Sequence, residues 1–171
     1  GHRNAPVATL SQARAIASSL DVQDIRLADP VEGNMYSVSD TDSDGVALLL
    51  DFPVTILGGY RDTGSIQEGR FDVRDPGLYS TEITSSADVT VRLTGSGFSG
   101  HRIDGVTVSN AGEPAADDFG AAIHLDGAVA DIQNTDIQMD GEMYYDAVDG
   151  QTVNTTDYQP GMAGIVLSSV S

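Results

Sequence analysis

Three aspartates alternate with other residues in the stretch SVSDTDSDGVALLLD, and a fourth acid closes it. Alternating carboxylates project to one side of a loop, and a glycine after the third permits the sharp turn that a bound ion requires. Carboxylate and carbonyl oxygens at this spacing suit Ca²⁺, which prefers hard ligands. The ligand positions that this spacing predicts are Asp40, Asp42, Asp44, Val46 through its carbonyl, and Asp51.

The surroundings of this stretch disfavour an EF-hand. The twelfth position is Asp51 rather than the longer glutamate that binds Ca²⁺ with both oxygens, and the flanking residues have strand patterns rather than helical ones. Two interpretations stay open. One is a calcium loop in a non-helical setting, and the other is a solvated turn between two strands, where Asp, Ser and Gly are favoured in any case.

A second group of polar residues lies in the segment 140–161, which holds three of the six tyrosines. Tyrosines beside carboxylates can stack on a sugar ring and hydrogen-bond to its hydroxyls, and loops on a rigid scaffold often carry binding function. The alternative is a cluster that packs the loop against the scaffold. The predicted binding residues are Tyr144, Tyr145, Asp146, Asp149 and Tyr158.

Evidence for catalysis is thinner. His124 and Asp126 are two residues apart and share a face in an extended strand, as do Arg102 and Asp104. A single histidine on a strand is more often structural than catalytic, and His101 lies in a Gly- and Ser-rich stretch that predicts a turn. The chain has no nucleophile elbow, phosphate-binding glycine loop or HExxH motif. No catalytic residue is assigned from the sequence.

The charge balance excludes some partners. Twenty-six acids face eight bases, all arginine, for a net charge of −18, which should repel nucleic acid and anionic membranes. Adaptation to high salt, a coding bias that replaces lysine by arginine, and cation binding each account for such a surface. No apolar run approaches the roughly 20 residues of a membrane span. With no cysteine, disulfides do not indicate the compartment.

The elements that would hold these residues are one helix and many short strands. Apolar spacing over residues 9–20 predicts an amphipathic helix, and four- to six-residue strands bounded by Gly, Asn and Asp follow it. Two segments repeat: residues 104–108 align with 135–139, and residues 121–125 align with 163–167. Such quasi-repeats are typical of a helical coil of strands with variable loops.

Several motifs together resemble pectate-lyase-like right-handed parallel β-helices of large secreted and cell-surface bacterial proteins. Such domains commonly open with G-x-x-x-x-P-[FV]-x-T-L-x-x-A, which residues 1–13 match as GHRNAPVATLSQA. Segments DIRLA, VTILGGY, RDP and IDGVTV, together with Tyr36, are similar to later parts of these proteins, and the resemblance covers residues 1–139. It implies an all-β solenoid whose exposed end is covered by the N-terminal helix, because an open end invites aggregation.

We therefore expect one β-helix domain over residues 1–171, with a capping helix at 9–20, coils at 24–139, a loop insertion at 140–161 and the next coil from 162. The chain opens without Met and stops inside a strand pattern, so we expect it to be the N-terminal portion of a longer protein. The expected function is a non-catalytic structural or adhesive module, extracellular or on the cell surface. It would bind a polysaccharide or another surface protein, with Ca²⁺ as a stiffening ion.

Two alternatives remain at this point. One is a lyase, hydrolase or epimerase that acts on an acidic polysaccharide, although a chain with a net charge of −18 repels such a substrate unless calcium bridges them. The other is a filament or sheath subunit that self-assembles through its coil ends.

Overall fold

The computed structural model describes residues 9–28, 35–40, 44–61, 73–95, 99–112, 120–139, 142–146 and 162–168. For residues 99, 142–146, 162, 163 and 166–168 the description covers the backbone only.

A single helix, α1, opens the described part of the chain and spans Leu10–Leu20. Thr9 caps it: its side-chain oxygen accepts a hydrogen bond from the Gln12 backbone N–H at 3.2 Å, which satisfies one of the first-turn amides. The helix ends at Asp21, whose backbone is left-handed and whose N–H bonds the Ala17 carbonyl. Leu10 and Ala17 are buried in the main core, so the apolar stripe faces inward as the spacing predicts.

Thirteen strands are present in the described residues. In chain order they are β1 Asp24–Ala28, β2 Tyr36–Ser37, β3 Val46–Leu50, β4 Thr55–Tyr60, β5 Glu82–Ser85, β6 Val89–Thr94, β7 Ser99–Asp104, β8 Thr107–Asn110, β9 Gly120–Asp126, β10 Val129–Gln133, β11 Asp136–Met139, β12 Glu142–Asp146 and β13 Met162–Ser168.

Successive strands enter three different sheets in turn. The first sheet has the order β1-β4-β7-β10, the second β12-β11-β8-β5-β2, and the third β13-β9-β6-β3. Neighbouring strands pair in parallel, with the exception of the antiparallel pair β11–β12. Three strands therefore make one passage through the fold, and each passage stacks on the previous one. The fold is mostly β, with one helix, as the sequence predicts.

The registers align aliphatic side chains into rows. In the first sheet Ile25, Ile56, Ile103 and Ile132 occupy equivalent positions on successive strands. Comparable rows run through the second sheet from Ile83 to Ile137 and through the third from Leu48 to Ile165. These rows belong to one continuous core, and each fully buried side chain of this size stabilises the fold by about 1.5–3 kcal/mol. They explain how a chain with only 6% aromatic residues builds a core.

The structure corrects the sequence analysis at three places. Residues 103–108 do not form one strand, because Gly105 takes a positive φ of 71° and separates β7 from β8, which lie in different sheets. The alignment of 104–108 with 135–139 is therefore wrong by two residues, since Val108 pairs with Ile137. The alignment of 121–125 with 163–167 is confirmed by the pairing of β9 with β13. The predicted loop insertion contains a strand, β12, at the edge of the second sheet.

Candidate functional site

The densest polar cluster surrounds Asp104, the last residue of β7, whose side chain is only 2% exposed. Its carboxylate accepts hydrogen bonds from Arg102 at 2.6 Å and from Asn134 at 3.0 Å, and it forms an ion pair with Arg74 at 2.7 Å. Burial by itself would raise the pKa of Asp104, but the bonds from Asn134, Arg74 and Arg102 outweigh it and lower the pKa. The carboxylate is therefore held ionised and fully engaged.

Arg74 connects this cluster to the backbone of two strands of the first sheet, β4 and β7. Its guanidinium donates to the Gly58 carbonyl at 2.9 Å and to the Asp104 carbonyl at 3.1 Å, and it lies 5.9 Å from the centre of the Tyr60 ring. The backbone is tightly packed here: a methyl group on Gly58 would overlap the carbonyl oxygen of Gly105. The cluster thus joins neighbouring strands and leaves no carboxylate available for chemistry.

A second polar cluster lies on the third sheet. Leu49, Arg92 and His124 are paired in register across β3, β6 and β9, on the opposite face from the core row that includes Leu48. Arg92 forms an ion pair with Asp126, so the predicted pair His124 and Asp126 does meet a third charged residue on the neighbouring strand. His124 is only 6% exposed, and burial together with the Arg92 charge lowers its pKa, while Asp126 opposes the shift.

His101 does not lie in a turn, contrary to the sequence prediction. It belongs to β7 and is 5% exposed, and its Nε2 lies 3.2 Å from the Thr94 carbonyl oxygen. Because a carbonyl only accepts, Nε2 carries the proton. Burial lowers the pKa of His101, and the bond to Thr94 opposes this shift only partly. The Gly- and Ser-rich sequence around His101 is typical of a turn, so the sequence did not indicate that this residue is buried.

The structure places the residues of the predicted calcium loop in two separate sets of contacts. The Asp40 carboxylate accepts hydrogen bonds from the backbone N–H groups of Asp44 (3.3 Å) and Gly45 (2.9 Å), and the Asp44 carboxylate accepts one from the N–H of Val46 (3.1 Å). These bonds are typical of an aspartate-stabilised turn. Asp51 instead pairs with Arg14 of α1 at 2.9 Å.

Asp42 lies outside the described residues. Among those that are described, no three His, Asp or Glu side chains approach one another as metal ligands would. One further acid lies close to the turn: a methyl group on Gly45, which has a φ of 80°, would lie 2.6 Å from the Asp88 carboxylate. Sequence reasoning missed Asp88 because it belongs to the next passage, and no local spacing indicates which acids stack on one another.

The predicted tyrosine site falls mostly outside what the structure describes. The backbone of Tyr144, Tyr145 and Asp146 lies in β12, where Tyr145 pairs with Ile137 and Asp146 with Asp136. The register shifts just before Tyr145, so Tyr144 has no paired residue on β11. Asp149 and Tyr158 lie outside the described residues. The structure brings the backbone of part of the predicted site to the edge of the second sheet.

Asn110 is a buried polar residue that the sequence analysis did not identify. Its side-chain amide donates to the carbonyls of Ala87, Asp88 and Ala121, each at 3.0 Å, and its side-chain oxygen accepts from the Gly112 N–H at 2.7 Å. One side chain thus fastens the chain around residues 87–88 to the start of β9. A single asparagine at the end of a strand gives no signal of this role in the sequence.

Comparison with family models, curated proteins and solved structures found no match for the chain. In the part of the chain that the structure describes, no helix has the length and apolar character that crossing a membrane requires.

Proposed function

We propose that the chain is a right-handed parallel β-helix that serves as a structural or adhesive module of a secreted or cell-surface protein. The observation that carries this proposal is the strand order, in which each strand from β4 to β11 pairs in parallel with the strand three places before it. Three rows of aliphatic side chains follow the same repeat, as expected when each coil covers the one before it. The handedness follows from the general rule that parallel crossover connections are right-handed.

In this proposal α1 caps the first coil. Leu10 and Ala17 join the core that also contains Ile25 of β1, and Arg14 on the same helix pairs with Asp51 just after β3. A helix in this position would cover the otherwise exposed end of the core. It would also block addition of further strands at that end, which is how natural proteins protect sheet edges.

The polar clusters support a structural role more than a catalytic one. Asp104 and Asn110 use their hydrogen-bonding capacity to fasten neighbouring coils, and both residues are buried. The two histidines that the structure describes, His101 and His124, are also buried, so neither is placed to act on a polymer in solution. The function would then come from loops on a rigid coil, with polysaccharide or another surface protein as partner and residues 140–161 as the first loop to test.

A binding experiment tests this function directly. The purified chain would be applied to arrays of polysaccharides and to immobilised bacterial surfaces, in parallel with a variant in which residues 147–161 are replaced by a short Gly-Ser linker. This replacement keeps β12 and removes Asp149 and Tyr158. We expect binding that the replacement reduces at least tenfold, with the melting temperature kept. No binding to any surface, or binding that the replacement leaves unchanged, would contradict a binding role for this loop.

A second candidate is an enzyme that acts on acidic polysaccharides, and the cluster of Arg92, His124 and Asp126 favours it. A base and an acid on one strand, β9, beside an arginine on the adjacent strand, β6, are groups that proton abstraction from a sugar acid needs. The 6% exposure of His124 counts against this candidate. Cleavage of an acidic polysaccharide by the purified chain, abolished by His124→Ala and retained by Asp131→Asn, would replace the structural proposal with this one.

We also propose that Ca²⁺ stiffens the corner at Asp40 and Asp44. The support is the spacing of the acids in the sequence, together with a third acid, Asp88, whose carboxylate lies beside Gly45. A carboxylate oxygen accepts more than one bond, so the backbone bonds to Asp40 and Asp44 are compatible with ion binding.

A further inference from the structure

The two buried histidines act on the same strand, although they come from different sheets. His101 of β7 holds the carbonyl of Thr94, the last residue of β6, while His124 of β9 is the register partner of Arg92, two residues earlier on β6. Asp126 adds a third link, because it pairs with Thr94 in register and forms the ion pair with Arg92. The carboxyl end of β6 is therefore held by three titratable residues from two neighbouring strands.

The geometry around each histidine favours the neutral form of the ring. With Nε2 donating to Thr94, protonation of His101 would add a proton at Nδ1, a buried atom with no hydrogen-bond partner in the described part of the chain. A buried N–H without an acceptor and an uncompensated buried charge are both costly.

Among the described residues, the strand neighbours of His101 offer no carboxylate to offset that charge. Its register partner on β10 is Ala130, and on the other side Val54, just before β4, accepts the backbone N–H of Arg102. The residue that contacts its ring, Thr94, offers only the carbonyl already in use.

Protonation of His124 is unfavourable for a different reason. A proton on this ring would place a second positive charge beside Arg92, and Asp126, whose carboxylate acts on the ring, also forms the ion pair with Arg92. The remaining register neighbours of this row, Leu49 on β3 and Val166 on β13, are uncharged. Like charges on directly opposite positions of neighbouring strands destabilise the pairing.

We propose that the carboxyl end of β6, residues 92–94, is an acid-sensitive latch that loosens from β7 and β9 when His101 and His124 become protonated. The charged His101 ring then carries a buried N–H at Nδ1 without an acceptor among the described residues, and the charged His124 ring is repelled by Arg92, so both changes favour opening of the same strand end. The burial-lowered pKa of each residue agrees with this behaviour. Stability that the neutral rings provide is fully present above the unfolded histidine pKa of about 6.5 and is lost as the pH falls below it. This device works independently of the proposed adhesive function.

Hydrogen exchange followed by mass spectrometry tests the latch. Peptides that cover residues 89–95 and 120–126 would be compared at pH 7.5 and pH 5.5, after correction for the intrinsic pH dependence of exchange. We expect these peptides to lose protection by about threefold or more at pH 5.5, as local opening predicts, while peptides around β1 change less. The double variant His101→Gln/His124→Gln, whose amides stay neutral, should lose this response, and Asp131→Asn should keep it.

An equal pH response in the double variant, or a uniform change over the whole chain, would overturn the proposal. A second measurement keeps it testable if the double variant fails to fold. NMR titration of the histidine rings in the wild-type chain should show two residues that titrate below 6.5, assigned by the single variants. Titration of His101 or His124 at or above 6.5 would equally overturn the latch.

Discussion

The carboxylate of Asp104 pairs with the guanidinium of Arg74 at 2.7 Å, although thirty residues separate them in the chain. Arg74 lies between β4 and β5 in the chain, and Asp104 ends β7, so this contact ties one passage of strands to the next. Arg102 and Asn134 complete the set of partners, which extends the link to the chain after β10. A buried charge with three donors is costly to disrupt, because removal of the carboxylate takes away the anion that both arginines face.

Asp104→Asn should therefore lower the free energy of unfolding by about 3–5 kcal/mol. The amide retains the shape of the carboxylate but removes the charge that both arginines face. Urea unfolding followed by circular dichroism measures the change. Asp131→Asn is the matched control: Asp131 lies 3.9 Å from the same Arg102, but its side chain is 54% exposed, so its loss should cost less than about 0.5 kcal/mol. Equal effects of the two substitutions would show that Asp104 contributes no more to the free energy of unfolding than an exposed aspartate does.

The same carboxylate predicts a pH dependence. Since the pKa of Asp104 is lower in the folded chain than its unfolded value of about 3.9, its contribution is present above pH 3.9 and is lost as the pH falls through the folded value. The difference in unfolding free energy between wild type and Asp104→Asn should accordingly shrink between pH 4 and pH 2. A difference that stays constant over this range would contradict the assigned shift. The comparison with the variant cancels the titration of the other acids.

Asn110→Ala should destabilise the chain by about 1–3 kcal/mol, because three carbonyls and the Gly112 N–H lose a partner in a buried place. Asn110→Asp should be worse above pH 5, since a carboxylate would then face those carbonyl oxygens. Thermal unfolding at pH 7.5 ranks the variants. Gln138→Ala on the half-exposed face of β11 serves as control and should change stability by less than about 0.5 kcal/mol.

Gly58→Ala tests the close approach between β4 and the turn after β7. The added methyl would overlap the backbone oxygen of Gly105, which cannot rotate away, so we expect a loss of about 3 kcal/mol or more. Gly77→Ala is a matched control, because its added methyl meets the Asp75 carboxylate at an acceptable 3.4 Å. The urea midpoints of the two variants measure their difference in stability, and indistinguishable midpoints would show that the backbone relaxes freely at Gly58.

Removal of metal tests the calcium proposal. The melting temperature would be measured in EDTA and then in millimolar Ca²⁺, where binding at 100 times Kd adds about 2.7 kcal/mol. Asp40→Asn/Asp44→Asn keeps oxygen acceptors for the backbone amides and should abolish the shift, while Asp131→Asn should keep it. A shift that NaCl of equal ionic strength reproduces would indicate general screening of the −18 charge instead.

Local sequence pattern was sufficient to predict the helix and several strands, but it did not predict which residues meet in the polar clusters. The helix at 9–20 and the strands at 24–28, 46–50 and 136–139 follow from apolar periodicity, because the residues that one face of an element buries recur at a fixed spacing along the chain. The repeat of 121–125 at 163–167 was visible because both strands occupy the same position in the third sheet. The repeat of 104–108 was misaligned, since the left-handed turn at Gly105 is not marked by hydrophobicity.

What the sequence determined by itself was a mostly β chain with one helix, an aliphatic core and an acidic surface, because composition and periodicity act along the chain. The tertiary structure decided which polar residues meet. Arg74 reaches Asp104, Asn110 reaches residues 87, 88 and 121, and two histidines converge on one end of β6. Stacking of successive passages of strands brings together residues tens of positions apart, and the variable loop lengths that set this register leave no regular spacing in the sequence.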